Sequence, residues 1–386
     1  MTQSLQRRKI PLLDLEALHA PLRAEILAAI TRVVDSQRFI MGPDVQELEG
    51  LIADYCGCRY AIACASGSDA LFLALLATGI KPGDRVLTTP YSFFATAGAI
   101  TRAGATPVFA DIDPLTYNLD CKAAEQVLET TPGITAILPV HLFGGCADMD
   151  PILEIARRRN CSVIEDGAQA IGAEYKGRRA QSIGVMGCIS FFPSKNLGAL
   201  GDGGMVTTND AELAGRLRSL RLHGTTKKYY HESIGINSRL DTLQAAVLKV
   251  KFKYVDEWSG GRQRNAMLYR EFLGRCGAPI TVPAEAAYQT RHVYNQFVIR
   301  APRRDGLKAW LQDNGVSTEV YYPVPLHLQP CYRDLGYHEG DFPASEEAAR
   351  QSLAVPVHSA MEREDIEYVV QLIAAFLENS GGDRGR

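Results

Sequence analysis

The sequence has 386 residues, of which 46% are hydrophobic and 22% charged, as is typical of globular proteins in water. At roughly 150 residues per domain, this length predicts about two domains. The net charge is −3, and the absence of basic runs and of an apolar run of about 18 residues argues against nucleic-acid binding and against a membrane span.

The first residues and the cysteines both favour a cytoplasmic protein. The opening MTQSLQRRKIPLLDLEAL has basic residues but no long apolar stretch behind them, so it does not resemble a secretory signal. We therefore expect the 9 cysteines to be reduced. The tight pair Cys56 and Cys58 lacks the second pair that a zinc site usually needs, so we interpret both as packing thiols and expect no metal.

From about residue 45 to residue 210, helical and strand patterns alternate. Apolar residues recur at helical intervals in VQELEGLIADYC (45–56) and MDPILEIARRRN (149–160), and SDALFLALLATG (68–79) predicts a buried helix. Short apolar runs predict strands in RYAIACAS, RVLTT, TPVFAD, ITAILPV and CSVIED. This alternation predicts an α/β fold, with three layers and a mostly parallel sheet covered by helices on both faces.

After residue 210 the pattern changes. Residues 238–258, SRLDTLQAAVLKVKFKYVDEW, predict one long helix with a capping-box-like start at Ser238 and Asp241. A strand pattern in HVYNQFVIR and helical patterns in RDGLKAWLQDNG and IEYVVQLIAAFL follow. We predict a large domain over residues 1–250 and a smaller α+β domain over residues 251–386, ending in a disordered tail, NSGGDRGR.

Two residues stand where a ligand could bind. Lys195 precedes a glycine-rich turn in SFFPSKNLGALGDGG (190–204), where the backbone can approach a bound group. Asp166 ends the strand CSVIED, and ligands of open parallel sheets bind beyond the carboxyl ends of strands. Taken singly, a lysine or an aspartate in such a place is more often a solvated surface residue.

Two further stretches could contact a cofactor. Ser66, Gly67 and Ser68 stand at a helix start, where free amides and the helix dipole attract phosphate, although the triplet is also a common turn. Phe93 and Phe94 lie in TTPYSFFATA, where aromatic residues pack in a core more often than they support a ligand. In combination, the lysine, the aspartate, the helix start and an aromatic face suit pyridoxal phosphate.

The chain resembles the DegT–StrS family of sugar-nucleotide aminotransferases, which are fold-type-I pyridoxal-phosphate enzymes, from about residue 10 to residue 375. The resemblance rests on the motifs ACASGSDAL, GDRVLTTPYSFFATA, PVFADIDPLTYNLD, HLFGGCADMD, VIEDGAQAIGAEYKG, SFFPSKNLGALGDGG, LRLHG, GINSRLDTLQAA and VYYPVPLH. Gly167 is a small departure, because alanine is common there.

The resemblance implies a role for each matching residue. Lys195 matches the catalytic lysine that bonds to the cofactor, Asp166 the partner of the pyridine nitrogen, and Gln169 a contact of the phenolic oxygen. The matching ring and phosphate contacts are Phe93, Gly67, Ser68 and Ser190. Asn237 matches a phosphate ligand donated by the other subunit of a homodimer with shared active sites. The matching sugar-nucleotide contacts are Arg239, Tyr322 and His327.

We therefore expect an aminotransferase that moves an amino group from an amino acid, usually glutamate in this family, to a nucleotide-linked keto-sugar. The GDGG around Asp202 resembles members that aminate the third carbon of the sugar, whereas members acting on the fourth carbon more often have glutamate there. FFPSKNLG most resembles enzymes acting on uridine-diphosphate sugars, and a thymidine-diphosphate sugar stays open.

Other functions fit the sequence less well. Dehydratases of the family carry histidine at the position of Lys195. A non-catalytic regulatory protein on the same fold would not need Lys195, Asp166 and the phosphate ligands together. A metal hydrolase would need a ligand set, and no suitable spacing connects His223, His231, Asp202 and Asp241.

Overall fold

A seven-stranded sheet lies between helices in the computed structural model, which describes residues 8–277 and 279–381. The helices of the described residues are α1 Leu15–His19, α2 Arg23–Ser36, α3 Pro43–Cys56, α4 Gly67–Ala77, α5 Ala95–Arg102, α6 Cys121–Thr130, α7 Met149–Arg159, α8 Ala211–Leu220, α9 Thr242–Phe252, α10 Val255–Cys276, α11 Arg304–Asp313, α12 Pro343–Gln351 and α13 Arg363–Gly381. The strands are β1 Tyr60–Cys64, β2 Arg85–Thr88, β3 Thr106–Phe109, β4 Ile134–Ile137, β5 Ser162–Asp166, β6 Glu174–Tyr175, β7 Arg178–Arg179, β8 Met186–Ser190, β9 Gly204–Thr208, β10 Thr225–Lys227, β11 Tyr230–His231, β12 Phe297–Arg300 and β13 Ser352–Val355.

The sheet has the strand order β1-β9-β8-β5-β4-β2-β3. Strands β8, β5, β4, β2 and β3 pair in parallel, whereas β9 is antiparallel to both of its neighbours, β1 and β8. The prediction of a mostly parallel sheet is therefore confirmed, and the short apolar runs predicted as strands are the strands β1 to β5.

Alternate residues of each strand enter cores on opposite faces of the sheet. In β5, Val163 packs in a core with α6 and α7, whereas the next residue, Ile164, packs in a core with α4, α5 and α8. Helix α4 is buried on nearly all sides, as its uniformly apolar sequence predicts. The carboxyl ends of β1, β5 and β8 meet at one edge of the sheet, because Cys64 and Ser190 both pair with Gly204, and Asp166 pairs with Cys188.

The predicted long helix over residues 238–258 is wrong, because the chain breaks it into α9 and α10 at Lys253 and Tyr254. The two helices pack in different cores, α9 against α2 and α10 against α13. The predicted capping box is also absent. Asp241 precedes α9 without a capping side-chain bond, and Ser238 Oγ instead donates to Asp69 Oδ2 at 2.9 Å.

A second core lies around the antiparallel pair β12 and β13, with α10, α11 and α13 packed on it. The strand β12 and the helices α11 and α13 correspond to the segments predicted for a smaller α+β unit, although β12 is shorter than the predicted strand, and β13 was not predicted. The division of the chain at residue 250 stays a prediction. Helix α13 continues to Gly381, so the first three residues of the predicted tail are helical, and residues 382–386 lie outside the described part. Within that part, no helix is both long enough and apolar enough to cross a membrane.

Candidate active site

A cavity of about 410 Å³ opens where the carboxyl ends of the strands meet. Eight of the eleven site residues predicted from the sequence line it: Gly67, Ser68, Phe93, Asp166, Gln169, Ser190, Lys195 and Tyr322. These residues come from five separate stretches of the chain, so it is the sheet topology that assembles them. The other three predicted residues, Asn237, Arg239 and His327, are not among the residues that line it.

Asp166 presents a buried carboxylate to the cavity. Its Oδ2 accepts a hydrogen bond from Thr96 Oγ1 at 2.7 Å, and its Oδ1 accepts one from the Ala168 N–H at 3.2 Å. Burial raises the pKa of Asp166, while these two bonds and the charges of Lys195 and His141 oppose the rise. A cationic group bound beside Asp166 would therefore stabilise the ionised carboxylate.

Lys195 lies on a tightly held loop. The Lys195 N–H donates to Phe192 O at 2.9 Å, and a Cβ added to Gly198 would lie 2.3 Å from Pro193 O, so the turn has no room for a side chain there. The next residue, Asn196, donates to Val293 O at 2.9 Å, which fixes the loop to the segment that precedes β12.

The amine of Lys195 is suited to react as a nucleophile. Desolvation lowers its pKa to about 8, against the smaller raising effect of Asp166. Among residues 8–277 and 279–381, this amine has no hydrogen-bond partner. At pH 7 a pKa of about 8 leaves about one tenth of the amine neutral, far more than in an ordinary lysine.

The start of α4 forms a place for an anion. Ser66 caps the helix, accepting from the Asp69 N–H at 3.1 Å, while the N–H groups of Gly67 and Ser68 have no acceptor within the helix. A Cβ on Gly67 would lie 2.5 Å from Ser190 Cβ, so glycine is needed for this close approach. Free amides at a positive helix end, with serine hydroxyls around them, suit a phosphate.

Phe93 and Gln169 present an apolar face and an amide. Phe93 is 57% exposed and Phe94 is 46% exposed, so neither side chain is buried in a core. The Phe93 ring centroid lies 6.1 Å from that of Tyr322 in the cavity wall. Gln169 Oε1 accepts from the Phe143 N–H at 2.7 Å and its Nε2 donates to Tyr322 Oη at 3.0 Å, which leaves a second Nε2–H for an acceptor in the cavity.

The structure does not bring Asn237, Arg239 and His327 to the cavity of the same chain. Ser238, between the first two, is buried against α4, whereas Asn237 is exposed and Arg239 is partly exposed. The His327 ring is buried, with Nε2 at 3.2 Å from Glu346 Oε1. The roles assigned to these three residues stay predictions.

Other residues of the cavity wall were not predicted from the sequence. They include Ser92, Thr96, Ser194, Gln296 and Tyr321. Ser92 lies before α5 and Thr96 lies in its first turn, so the two do not share a helical pattern, and no local signal marks either as a cavity residue. No local pattern marks Gln296 or Tyr321. Within the described residues, no group of three or more His, Cys, Asp or Glu side chains is arranged to hold a metal ion.

The comparison with known families gives one match over nearly the whole chain. Residues 21–374 match the family model of the DegT/DnrJ/EryC1/StrS aminotransferase family. The predicted resemblance is therefore confirmed.

Curated relatives of this chain include enzymes and one protein named as a regulator. A "Pleiotropic regulatory protein" of Geobacillus stearothermophilus is 48% identical, with 95% of this chain and 98% of the relative covered. A UDP-N-acetyl-3-dehydro-alpha-D-glucosamine 3-aminotransferase of Acidithiobacillus ferrooxidans is 42% identical, with 96% and 99% covered. A dTDP-3-amino-3,4,6-trideoxy-alpha-D-glucose transaminase of Streptomyces venezuelae is 41% identical, with 98% and 99% covered.

Solved structures share the fold. The crystal structure of S. venezuelae DesV superposes with a TM-score of 0.92 at 42% identity, covering 96% of this chain and 99% of that one. The structure of Bacillus subtilis NtdA with bound cofactor PMP has a TM-score of 0.89 at 32% identity, covering 98% and 87%. The predicted fold class is confirmed by these superpositions.

The cavity residues fit pyridoxal phosphate, the cofactor of this family. Asp166 would hold the ring nitrogen, the start of α4 with Ser190 would hold the phosphate, and Phe93 would cover the ring. Lys195 would hold the aldehyde carbon through its amine. Such a ligand would place a cationic nitrogen beside the buried Asp166 carboxylate, which has no cation at hydrogen-bond distance among the described residues. It would also cover the Phe93 ring, which is 57% exposed.

We expect pyridoxal phosphate to attach to Lys195 with a pH dependence set by the lowered pKa. Because the neutral amine is the reactive form, the rate of attachment should rise with pH up to about 8 and then level off, whereas an ordinary lysine becomes fully reactive only above its pKa near 10.4. The measurement is borohydride reduction at a series of pH values, followed by peptide mass spectrometry.

Lys251 is a control within the same molecule. Its pKa is also lowered to about 8, but its amine is buried and donates to Gly198 O, so it should remain unlabelled. Attachment at other lysines with Lys195 unmodified would contradict the assignment.

Proposed function

The chain belongs to the DegT/DnrJ/EryC1/StrS aminotransferase family, and on this premise we propose that it transfers the amino group of an amino acid to a nucleotide-linked 3-keto-sugar. As a member of this family it is an aminotransferase that uses pyridoxal phosphate. The observation that carries the proposal is the placement of Lys195 and Asp166 in one cavity, with the start of α4 beside them.

The chain's own residues supply positioning and a proton carrier. Bound pyridoxal phosphate supplies an electron-withdrawing ring that stabilises negative charge on the substrate carbon. Asp166 holds a proton on the ring nitrogen, because a nearby negative charge favours the protonated form. Lys195 Nζ, with its pKa of about 8, takes a proton from the substrate carbon and returns it, and its attachment to the loop keeps that base in place.

Two half-reactions share this cavity. An amino acid, for which we propose glutamate, gives up its amino group in the first, and the keto-sugar receives it in the second. The same lysine and aspartate act in both, so one set of residues serves two substrates in turn.

The third carbon of the sugar is the proposed position of amination. The names of the Acidithiobacillus and Streptomyces relatives, at 42% and 41% identity, point to 3-amino sugars on UDP or dTDP. Asp202, from the GDGG stretch that resembles such enzymes, is among the residues that line the cavity.

A regulatory role is the second candidate, because the Geobacillus relative carries that name at 48% identity. Binding alone would not need an amine whose pKa is lowered to about 8 beside a buried carboxylate. These two groups favour catalysis as the activity of this chain.

We further propose a homodimer with shared active sites, in which Asn237 and Arg239 reach the cavity of the partner. Among the described residues that line the cavity, Lys195 is the one lysine or arginine, although the cofactor phosphate and a sugar diphosphate bring several negative charges. The missing positive charge must come from outside this set of residues, and Arg239 is partly exposed at the surface.

Exposed apolar side chains near Asn237 and Arg239 also support the proposed homodimer. Ile40 is 47% exposed and pairs with Asp241, and Leu200 is 46% exposed and donates its N–H to Gln244. A second copy would cover these side chains. Tyr322 and His327 complete the proposed sugar-nucleotide contacts.

The proposed compartment is the cytoplasm. All nine cysteines of the chain are free thiols in the structure, seven of them at least partly buried. Free thiols are typical of proteins in a reducing compartment.

We expect the protein to aminate UDP- or dTDP-linked 3-keto-sugars at least about tenfold faster than the 4-keto isomers, because only one carbonyl can be placed beside the Lys195 amine. The assay supplies glutamate and each keto-sugar and detects the amino sugar by mass spectrometry. Lys195→Ala should give no product. Faster reaction of a 4-keto-sugar would overturn the position, and a cofactor-loaded protein inert with every keto-sugar would favour the regulatory role.

We expect a mixture of two inactive variants to recover activity. Lys195→Ala and Asn237→Ala should each be inactive alone, but in a mixed dimer one of the two sites has both residues. At equal concentrations the mixture should reach about one quarter of wild-type activity. Native mass spectrometry verifies that mixed dimers form. If they form and no activity returns, the shared-site proposal fails.

A further inference from the structure

Two buried hydroxyl groups lie behind the Asp166 carboxylate. Ser92 Oγ is 2.8 Å from Thr96 Oγ1, and Thr96 Oγ1 is 2.7 Å from Asp166 Oδ2. Ser92 is 4% exposed, Thr96 is 1% exposed and Asp166 is 4% exposed. The three side chains thus form a continuous hydrogen-bonded row in the cavity wall, and of the three only Asp166 has a role in the proposed mechanism.

The direction of these hydrogen bonds follows from the chemistry of the groups. An ionised carboxylate only accepts hydrogen bonds, so Thr96 uses its single hydroxyl proton to donate to Asp166 Oδ2. The Thr96 oxygen must then accept from the Ser92 hydroxyl. Bonds ordered in this way polarise one another, which strengthens the donation to the carboxylate.

Helix α5 holds this row in a fixed place. Thr96 is in its first turn, and its neighbour Ala97 is fully buried in a cluster with Phe109 and Tyr332. The Thr101 hydroxyl, in the same helix, bonds to Ala97 O and to Tyr332 Oη and does not touch Asp166.

We propose that Ser92 and Thr96 are positioning residues that keep Asp166 ionised and aim its carboxylate at the ring nitrogen of the cofactor. A buried carboxylate without donors takes up a proton, and a neutral carboxyl group is no counter-ion for a protonated ring. Thr96 and the Ala168 N–H occupy one lone pair on each oxygen, so that others remain for the ligand. The proposal rests on the cofactor use proposed above.

The test is Thr96→Val, which keeps the shape of the side chain and removes its hydroxyl group. With pyridoxal phosphate labelled with ¹⁵N at the ring nitrogen, the chemical shift reports the protonation of that atom without any turnover. We expect the signal to move toward the unprotonated range. Turnover should fall about tenfold to one hundredfold, the loss of one hydrogen bond to a charged group, with little change in the KM for glutamate.

Matched variants separate positioning from general damage. Thr96→Ser keeps the hydroxyl group and should restore the wild-type chemical shift, and Thr101→Val, in the same helix, should leave it unchanged. Ser92→Ala should give a smaller shift in the same direction, and it serves as the test if Thr96→Val does not fold. A wild-type chemical shift in both Thr96→Val and Ser92→Ala, or in Ser92→Ala where the other does not fold, would overturn the proposal. A wild-type protein that binds no pyridoxal phosphate would instead overturn the proposed function.

Discussion

The active site is organised around a carboxylate that the fold itself buries. Asp166 is 4% exposed at the end of β5, and removing a charge from water costs several kcal/mol unless hydrogen bonds and opposite charges compensate. The Thr96 hydroxyl, the Ala168 N–H and the charge of Lys195 compensate in part, and the pKa of Asp166 is still raised. A positive charge in the cavity would complete the compensation, and a protonated ring nitrogen would supply it.

The preceding residue, Glu165, shows the opposite solution to the same problem. It is fully buried, and it accepts hydrogen bonds from the N–H groups of Gln181, Ile183 and Gly184 and a fourth from His141 Nε2 at 2.8 Å. Because successive strand residues point to opposite faces, Glu165 turns into the fold while Asp166 turns to the cavity. One carboxylate stabilises the end of β5, and its neighbour is left for a ligand.

Much of this arrangement could be predicted from the sequence, because strands and buried helices follow from local apolar patterns, Asp166 ends a strand, and Gly67 begins a helix. The break between α9 and α10 could not be predicted, because the two helices pack in two different cores, and these cores are formed by residues distant in the sequence. Gln296 and Tyr321 reach the cavity from distant parts of the chain and carry no local signal. Thr96 resembled an ordinary helix residue until the structure placed it beside Asp166.

Single-turnover kinetics of Asp166→Asn test most directly whether this buried charge drives the chemistry. The amide has a similar shape but no charge, so the ring loses its counter-ion while the cofactor still binds through its phosphate and Lys195. The predicted result is a fall of about one hundredfold or more in both half-reactions, with glutamate and with the keto-sugar, because each 1.36 kcal/mol of lost stabilisation is about tenfold in rate. A fall confined to the keto-sugar half-reaction would show Asp166 to be a substrate contact and would contradict this account.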